Sequence, residues 1–279
     1  MTQRDPTREY RTELDIDAPR DAVWQAISTA AELRRWFAPI AQTDQAPGGS
    51  IVWEWPGHHR WEQTIEVLEP GTRLKTRYDS AAPDGRGGKL PLFIDFVLEG
   101  EGGSTTLRLV QSGFGPGAEF DQEYDGISRG WPVELRSLRL YLERHRGVDR
   151  QLAWSTFDLD WDPSEAWARL TGPEGLGVGA NVQSCREGEP FRFVTGDGDV
   201  LAGHALRCHP REFSADLESH GHAFFRMSAE RWGGLTHVWI WLGAYRQDAA
   251  ALAALQQRWD AMLQRLFGGA QHAATGGMA

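Results

Sequence analysis

The chain has 279 residues, enough for two domains of ordinary size, and 29 lysine and arginine residues against 39 aspartate and glutamate residues, giving a net charge of −10. This acidic balance argues against nucleic acid as a partner, because binding to phosphates draws on an excess of basic side chains. We find no stretch near the roughly 20 apolar residues of a membrane span and no signal-peptide pattern, so we expect a cytoplasmic protein with no membrane partner.

The first half of the chain begins with a strand pattern, since apolar and polar residues alternate over 8–17. Two short helices are predicted next, over 21–28 and 31–37. Turn residues then separate a series of antiparallel strands, which we predict at 51–55, 61–68, 74–78, 92–99 and 104–111, with a long loop over 79–91. A last helix carries one apolar stripe, formed by Trp131, Leu135, Leu138 and Leu142.

The second half repeats this order with losses. A strand at 157–160 and a helix at 163–170 precede a stretch rich in glycine and proline at 171–179, where we predict no second helix. Strands follow at 190–195, 200–207, 212–218, 222–229 and 235–242, and a helix at 248–267 closes the copy.

The two copies are each the size of a domain, and their order of elements predicts an α+β architecture. In each copy, a curved antiparallel sheet wraps round a long C-terminal helix. We place the domains at 8–147 and 152–268, with a short linker near 146–152 and a disordered tail at 269–279.

Several short motifs of the first half occur together in a known order. They are IDAP at 16–19, LRRWF at 33–37, EPGTRL at 69–74, SGF at 112–114 and GW at 130–131. With them the chain resembles the SRPBCC (START-like) superfamily of helix-grip domains, in the branch named after the activator of the heat-shock protein 90 ATPase. The likeness covers nearly all of 8–145, while the second half is similar only in outline, as a diverged tandem copy.

The resemblance implies a fold and a cavity. Its superfamily includes lipid-transfer domains, polyketide aromatase/cyclases and hormone receptors, so one fold serves many functions. A cleft between the sheet and its closing helix is expected, because side chains cannot fill a strongly curved sheet everywhere.

Aromatic residues are the candidates for the lining of that cleft. The chain has 13 tryptophans, and Trp53 and Trp55 share one strand face while Trp131 begins the helix stripe. We therefore predict a ligand-binding cleft in the first domain, lined by Trp53, Trp55, Trp61, Tyr78, Phe96, Phe114 and Trp131.

Charged residues on the same strands have two possible roles. If the tryptophans face inward, alternation sends Glu54 and Asp95 to solvent, and Glu62 and Arg108 depend on the same choice of face. A carboxylate facing inward would instead have a raised pKa and could act as a general acid or base. No motif of a hydrolase, phosphate loop or dinucleotide site is present, so no cofactor is predicted.

Neither histidines nor cysteines indicate a metal site. The pairs His58-His59 and His220-Gly221-His222 fall at predicted turns without further ligands at suitable spacing, so no metal is predicted. Cys185 and Cys208 lack any zinc-ligand spacing, and we interpret them as ordinary thiols, buried or half-buried, in a reducing compartment.

Together these patterns predict binding of a hydrophobic or aromatic small molecule in the first domain. Two alternatives remain open: a polyketide-type cyclase or hydrolase that uses the same cleft, and a chaperone-associated factor. An inward carboxylate beside a tyrosine or arginine would favour the enzyme, an apolar cleft would favour binding, and a filled cleft with an exposed apolar patch would favour a protein partner.

Overall fold

The computed structural model describes residues 7–83 and 88–270, and the chain divides into two compact units, 1–149 and 150–279. Each unit is a helix-grip domain, in which an antiparallel sheet carries a long C-terminal helix. The predicted α+β class with two tandem domains is confirmed. We retain 8–147 and 152–268 as the proposed domain bounds.

The first unit contains seven strands and three helices. The strands are β1 (Arg8–Ile16), β2 (Ile40–Thr43), β3 (Ser50–Trp55), β4 (His59–Glu69), β5 (Arg73–Pro83), β6 (Lys89–Glu99) and β7 (Thr105–Phe114). The helices are α1 (Arg20–Ser28), α2 (Ala30–Trp36) and α3 (Asp121–Leu140), and α3 continues into a π-helical turn, Tyr141–His145.

The seven strands form one antiparallel sheet in the order β1-β7-β6-β5-β4-β3-β2. Directly paired residues share a face of a sheet, and alternate residues of a strand return to it. The pairs Ile65 with Thr76 and Ile94 with Gln111 therefore lie on one face, as does Trp53, which contacts the α3 residue Trp131. We call the face that lies against α3 the inner face.

Two sequence predictions for this unit are corrected. The loop expected over 79–91 is largely strand, because β5 extends to Pro83 and β6 begins at Lys89. The short edge strand β2 was not predicted, since its four residues carry too little alternation to stand out.

A bulge at Gly113 brings Phe114 to the inner face. The register between β1 and β7 shifts after Arg8, so that Ser112 pairs with Glu9 but Phe114 pairs with Arg8. Gly113 has φ +101°, and a Cβ there would lie 2.4 Å from the carbonyl oxygen of Pro91. Only glycine fits this position, and the extra residue turns Phe114 into the core, where it is 0% exposed.

The second unit follows the same plan with one strand fewer. Its strands are β8 (Arg150–Leu159), β9 (Pro190–Val194), β10 (Val200–His209), β11 (Glu212–Leu217), β12 (Ala223–Trp232) and β13 (Leu235–Tyr245), in the sheet order β8-β13-β12-β11-β10-β9. Its helices are α4 (Pro163–Thr171), α5 (Gly179–Ser184) and α6 (Ala249–Phe267).

Two details of the second unit differ from the predictions. The linker is shorter than 146–152, because β8 already begins at Arg150. A six-residue helix, α5, follows the stretch predicted to lack one, although 172–178 itself is not helical. Of the predicted disordered tail, residues 271–279 lie outside the described residues.

Among the residues that the structure describes, none of the helices combines the length and the apolar character that a membrane crossing needs.

The bulge leads to a test of stability. We expect Gly113→Ala to lower the free energy of unfolding by at least about 2 kcal/mol, because it forces both a left-handed backbone and a close contact with Pro91. Urea unfolding measures this loss. Gly102→Ala is the matched control, since Gly102 has φ +74° but an added Cβ meets nothing within 4 Å. Equal losses in the two variants would contradict the role given to the bulge.

Candidate functional site

A cluster of aromatic rings fills the inner face of the first unit around Phe37. Phe37 lies at the end of α2, where Trp36 stacks on it with ring centroids 5.0 Å apart. Its ring also contacts Trp53 at 4.8 Å, Trp55 at 5.0 Å and Trp131 at 5.8 Å. Phe37 therefore contacts residues of α2, β3 and α3.

The end of α2 is held in place by hydrogen bonds. The indole Nε1 of Trp36 donates to the carbonyl of Ala26 in α1 at 2.9 Å. Ser137 of α3 donates through its hydroxyl to the carbonyl of Trp36 at 2.8 Å. These bonds orient Phe37 toward the sheet.

Most of the predicted lining residues are found in or beside this cluster. Trp53, Trp55, Phe96 and Trp131 belong to it, and all four are buried. Phe114 is also buried and contacts Tyr124 of α3 at 5.3 Å.

Trp61 stands apart at the edge of the cluster, where it is 37% exposed. It contacts Trp55 at 5.6 Å and His59 at 4.8 Å. The pairing of Trp61 with Trp53 on β3 explains its inward direction, and the nearby sheet edge explains its exposure.

A chain of polar side chains crosses the interior beside the rings. Gln111 of β7 is completely buried, and its Oε1 accepts a hydrogen bond from Trp131 Nε1. Its Nε2 donates to the hydroxyl oxygen of Tyr78 on β5. Burial raises the pKa of Tyr78 well above its usual range, so this tyrosine stays neutral and remains a hydrogen-bonding group.

Two buried donors near this chain lack an acceptor among the described residues. They are Trp53 Nε1 and Gln63 Nε2, on side chains that are 4% and 1% exposed. Gln63 is held by Thr76, whose hydroxyl donates to Gln63 Oε1 at 2.6 Å. Since buried polar groups are normally paired, each of these donors would be stabilised by an acceptor oxygen of a bound group.

A carboxylate lies near Tyr78, at one end of this chain of polar side chains. Glu123 of α3 is half-buried and accepts a hydrogen bond from the backbone N–H of Ala81 at 3.2 Å. Burial raises the pKa of Glu123, and the N–H groups of Ala81 and Ala82 partly oppose that effect. Its negative charge also contributes to the raised pKa of Tyr78.

The N-terminal half of α3 packs less tightly than its second half. Fully buried residues begin only at Trp131. Gly126 and Gly130 lie on the helix face that continues to the buried Val133 and Ser137, yet an added Cβ at either glycine would meet no described atom within 4 Å. This face of α3 therefore borders open space before the aromatic cluster.

The charged residues considered from the sequence lie on the opposite face of the sheet. Asp95 forms a bidentate pair with Arg73, at 2.9 and 2.7 Å. Glu54 and Glu62 both lie near Arg60, and Arg108 pairs with Glu13 and Glu99. The prediction that alternation sends Glu54 and Asp95 outward is confirmed.

Four residues of the site were missed from the sequence: Phe37, Gln63, Gln111 and Glu123. Alternation could have placed Gln63 with Ile65, and Gln111 with Leu109, on the inner face. Glu123 lies in a helical segment that the sequence analysis did not extend N-terminal to Trp131. Phe37 follows the last residue of α2, and its role depends on where that helix ends.

The second unit has a cavity of different chemistry. It has a volume of about 510 Å³ and lies where α4 and α6 end, with both arginines and acidic residues in its wall. Arg169 pairs with Glu174 at 2.8 Å, and Arg265 donates to the carbonyl of Glu174 at 3.1 Å. The cavity of the second unit therefore does not correspond in chemistry to the aromatic cluster of the first unit.

Comparison with known proteins finds one family model that matches most of the first half. Residues 17–143 match the model of the family described as activator of Hsp90 ATPase homolog 1-like protein. No curated protein matches the chain at a significant level.

Several solved structures are similar to the chain. Protein MLL2253 from Mesorhizobium loti is 24% identical, with coverage of 50% of this chain and 98% of that one and a TM-score of 0.44. The Aha1 dimer from Colwellia psychrerythraea is 21% identical, with coverage of 50% of this chain and 99% of that one and a TM-score of 0.43. DynU16, described as a putative protein in the dynemicin biosynthetic locus, is 17% identical, with coverage of 95% of this chain and 98% of that one and a TM-score of 0.42.

The buried polar chain leads to a second test. We expect Gln111→Leu to lower the free energy of unfolding by about 2–4 kcal/mol, because it leaves Trp131 Nε1 and the Tyr78 hydroxyl without their partner. Arg108→Gln on the same strand breaks only exposed ion pairs and should cost much less stability. Chemical denaturation of the two variants, side by side, measures the difference. A Gln111 variant as stable as the Arg108 variant would contradict the assignment.

The raised pKa of Glu123 predicts a pH dependence. The folded chain favours the protonated form of the Glu123 carboxyl. The contribution of this protonated carboxyl to stability is therefore complete below the pKa that Glu123 has in the unfolded chain, about 4.5, and is lost as the pH rises through its pKa in the folded chain. Glu123→Gln should therefore gain stability relative to the wild type between about pH 4 and pH 7. Urea unfolding at both pH values measures this gain, with the exposed Glu101→Gln as control. If the difference in free energy of unfolding between Glu123→Gln and the wild type is the same at both pH values, the expected effect of the raised Glu123 pKa is refuted.

Proposed function

Because residues 17–143 match the model of the family described as activator of Hsp90 ATPase homolog 1-like protein, we propose that the first unit binds a hydrophobic small molecule with an aromatic ring and an acceptor oxygen. We place the site between the inner face of the first sheet and the N-terminal half of α3. The observation that carries the proposal is the pair of buried donors, Trp53 Nε1 and Gln63 Nε2.

The aromatic cluster supplies the apolar wall of this site. Trp55 and Phe37 meet edge to face, an arrangement that also suits the ring of a ligand. Burying about 250 Å² of apolar ligand surface contributes roughly 6 kcal/mol, from which the entropy cost of binding must be subtracted. Apolar contact alone therefore supports only weak binding.

Hydrogen bonds supply the selectivity. A ligand without an acceptor leaves the Gln63 amide and the Trp53 indole unpaired, at a cost of about 1–3 kcal/mol for each buried group. A ligand with a carbonyl oxygen at that place gains this energy. We place the entrance for the ligand beside Gly126 and Gly130, where an added Cβ meets no described atom within 4 Å.

Two matched probes test the proposal on the full chain. We expect 2-acetonaphthone to bind about tenfold more tightly than 2-ethylnaphthalene, since one buried hydrogen bond is worth about 1.4 kcal/mol. Quenching of tryptophan fluorescence measures both affinities. Gln63→Met should remove most of the difference between the probes, whereas Glu62→Gln, on the outer face of the same strand, should leave it unchanged.

A second variant tests the entrance. Gly130→Leu should weaken binding of both probes without loss of stability, because leucine is a better helix former than glycine and its side chain fills the open space. Equal affinities of the two probes in the wild type would overturn the proposal, as would unchanged binding in Gly130→Leu.

An enzyme that uses the same cleft is the second candidate. It is favoured by one observation, the half-buried Glu123 whose charge acts on Tyr78. A carboxyl with a raised pKa can donate a proton to a carbonyl oxygen of a polyketide-like substrate and later remove one. Conversion of a poly-β-ketone probe by the wild type, but not by Glu123→Gln, would favour this alternative over binding alone.

A further inference from the structure

The two cysteines of the chain meet in the second unit. Cys185 directly follows α5, and Cys208 lies near the end of β10. Both are free, half-buried thiols, and each lies close enough to the other to change its pKa. The chain contains only these two cysteines, so each has the other as its sole thiol neighbour within the protein.

The backbone on both sides of this contact is already fixed. Gly188 N donates to the carbonyl of Ala205 at 2.7 Å, and Ala205 N donates to the carbonyl of Glu189 at 3.0 Å. The N–H of Cys208 donates to the Glu187 carboxylate at 3.4 Å. The segment after Cys185 is thus bound to the strand that carries Cys208, and we expect a bond between the two sulfur atoms to need little movement of the backbone.

We propose that Cys185 and Cys208 form a modification site at which a low-molecular-weight disulfide, such as oxidised glutathione, produces an internal disulfide bond. The small oxidant can reach the pair because both side chains are partly exposed. Both thiols also pack against the apolar core of the unit, which limits the directions they can take.

The order of the two steps follows from the surroundings of each thiol. Burial raises the pKa of both, to about 11 for Cys208, while the neighbouring Cys208 thiol partly lowers the pKa of Cys185 and Cys185 further raises that of Cys208. The Cys185 thiolate therefore attacks one sulfur of the oxidant first, and one glutathione thiolate leaves. Cys208 then loses its proton and attacks Cys185 Sγ, which releases the second glutathione thiolate. The oxidant gains the two electrons that the protein dithiol loses.

The disulfide would restrain the edge of the second sheet that β9 forms. Residues 185–208 form a loop that contains β9, the edge strand, which pairs with β10 on one side only. A bond between the ends of this loop restrains it in the unfolded chain and limits local opening of the folded one. Oxidation is therefore expected to slow hydrogen exchange in α5 and β9.

The experiment treats the full chain with oxidised glutathione and then identifies the products by mass spectrometry after alkylation. We expect the wild type to lose two hydrogens and to give one peptide pair linked through Cys185 and Cys208. The reaction should be faster at pH 9 than at pH 7, because it needs the thiolate. Cys208→Ser should stop at a mixed disulfide on Cys185, and Cys185→Ser should react more slowly.

Other products would overturn the proposal. These are two separate glutathione adducts on the wild type, a disulfide between two chains, or no reaction at pH 9. Hydrogen exchange gives a second measurement: protection of α5 and β9 should increase in the oxidised wild type and stay unchanged in the doubly substituted Cys185→Ser, Cys208→Ser chain. Unchanged hydrogen exchange of α5 and β9 in the oxidised wild type would refute the proposed restraint of the edge strand by the disulfide.

Discussion

The inner face of the first sheet must be covered by one long helix, and the other features of this unit depend on that contact. Trp131 is the point where α3 changes from half-exposed to buried, and its ring contacts Phe37, Trp53 and Phe96. Its indole N–H would be costly to bury alone, and the buried Gln111 accepts its hydrogen bond. A polar residue in the middle of an apolar face is thus explained by the helix above it.

Tight packing at one end of α3 contrasts with loose packing at the other. Beyond Trp131, the helix is fixed by buried leucines and by the bond from Ser137 to Trp36. Before it, Gly126 and Gly130 weaken the helix and leave room beside it. The second half of α3 therefore fixes the position of the rings, whereas the first half is less constrained.

The second unit shows how one fold can carry different chemistry. It keeps the antiparallel sheet and the closing helix, but its cavity is lined by charged side chains. It also holds both cysteines of the chain, at the edge of its sheet. Burial of an apolar face specifies the architecture, whereas residues at ends and edges are free to differ between the two copies.

The amino-acid sequence by itself determined the two copies, their α+β plan and most strand positions, because alternation and helical spacing are local properties. It also indicated that Trp53 and Trp55 face inward and that Glu54 and Asp95 face outward. Only the tertiary structure decided that Gln111 joins Tyr78 to Trp131, that Glu123 reaches Ala81, and that Cys185 meets Cys208. These contacts depend on the register between strands and on where helices begin, and a single bulge such as that at Gly113 changes which side chains meet.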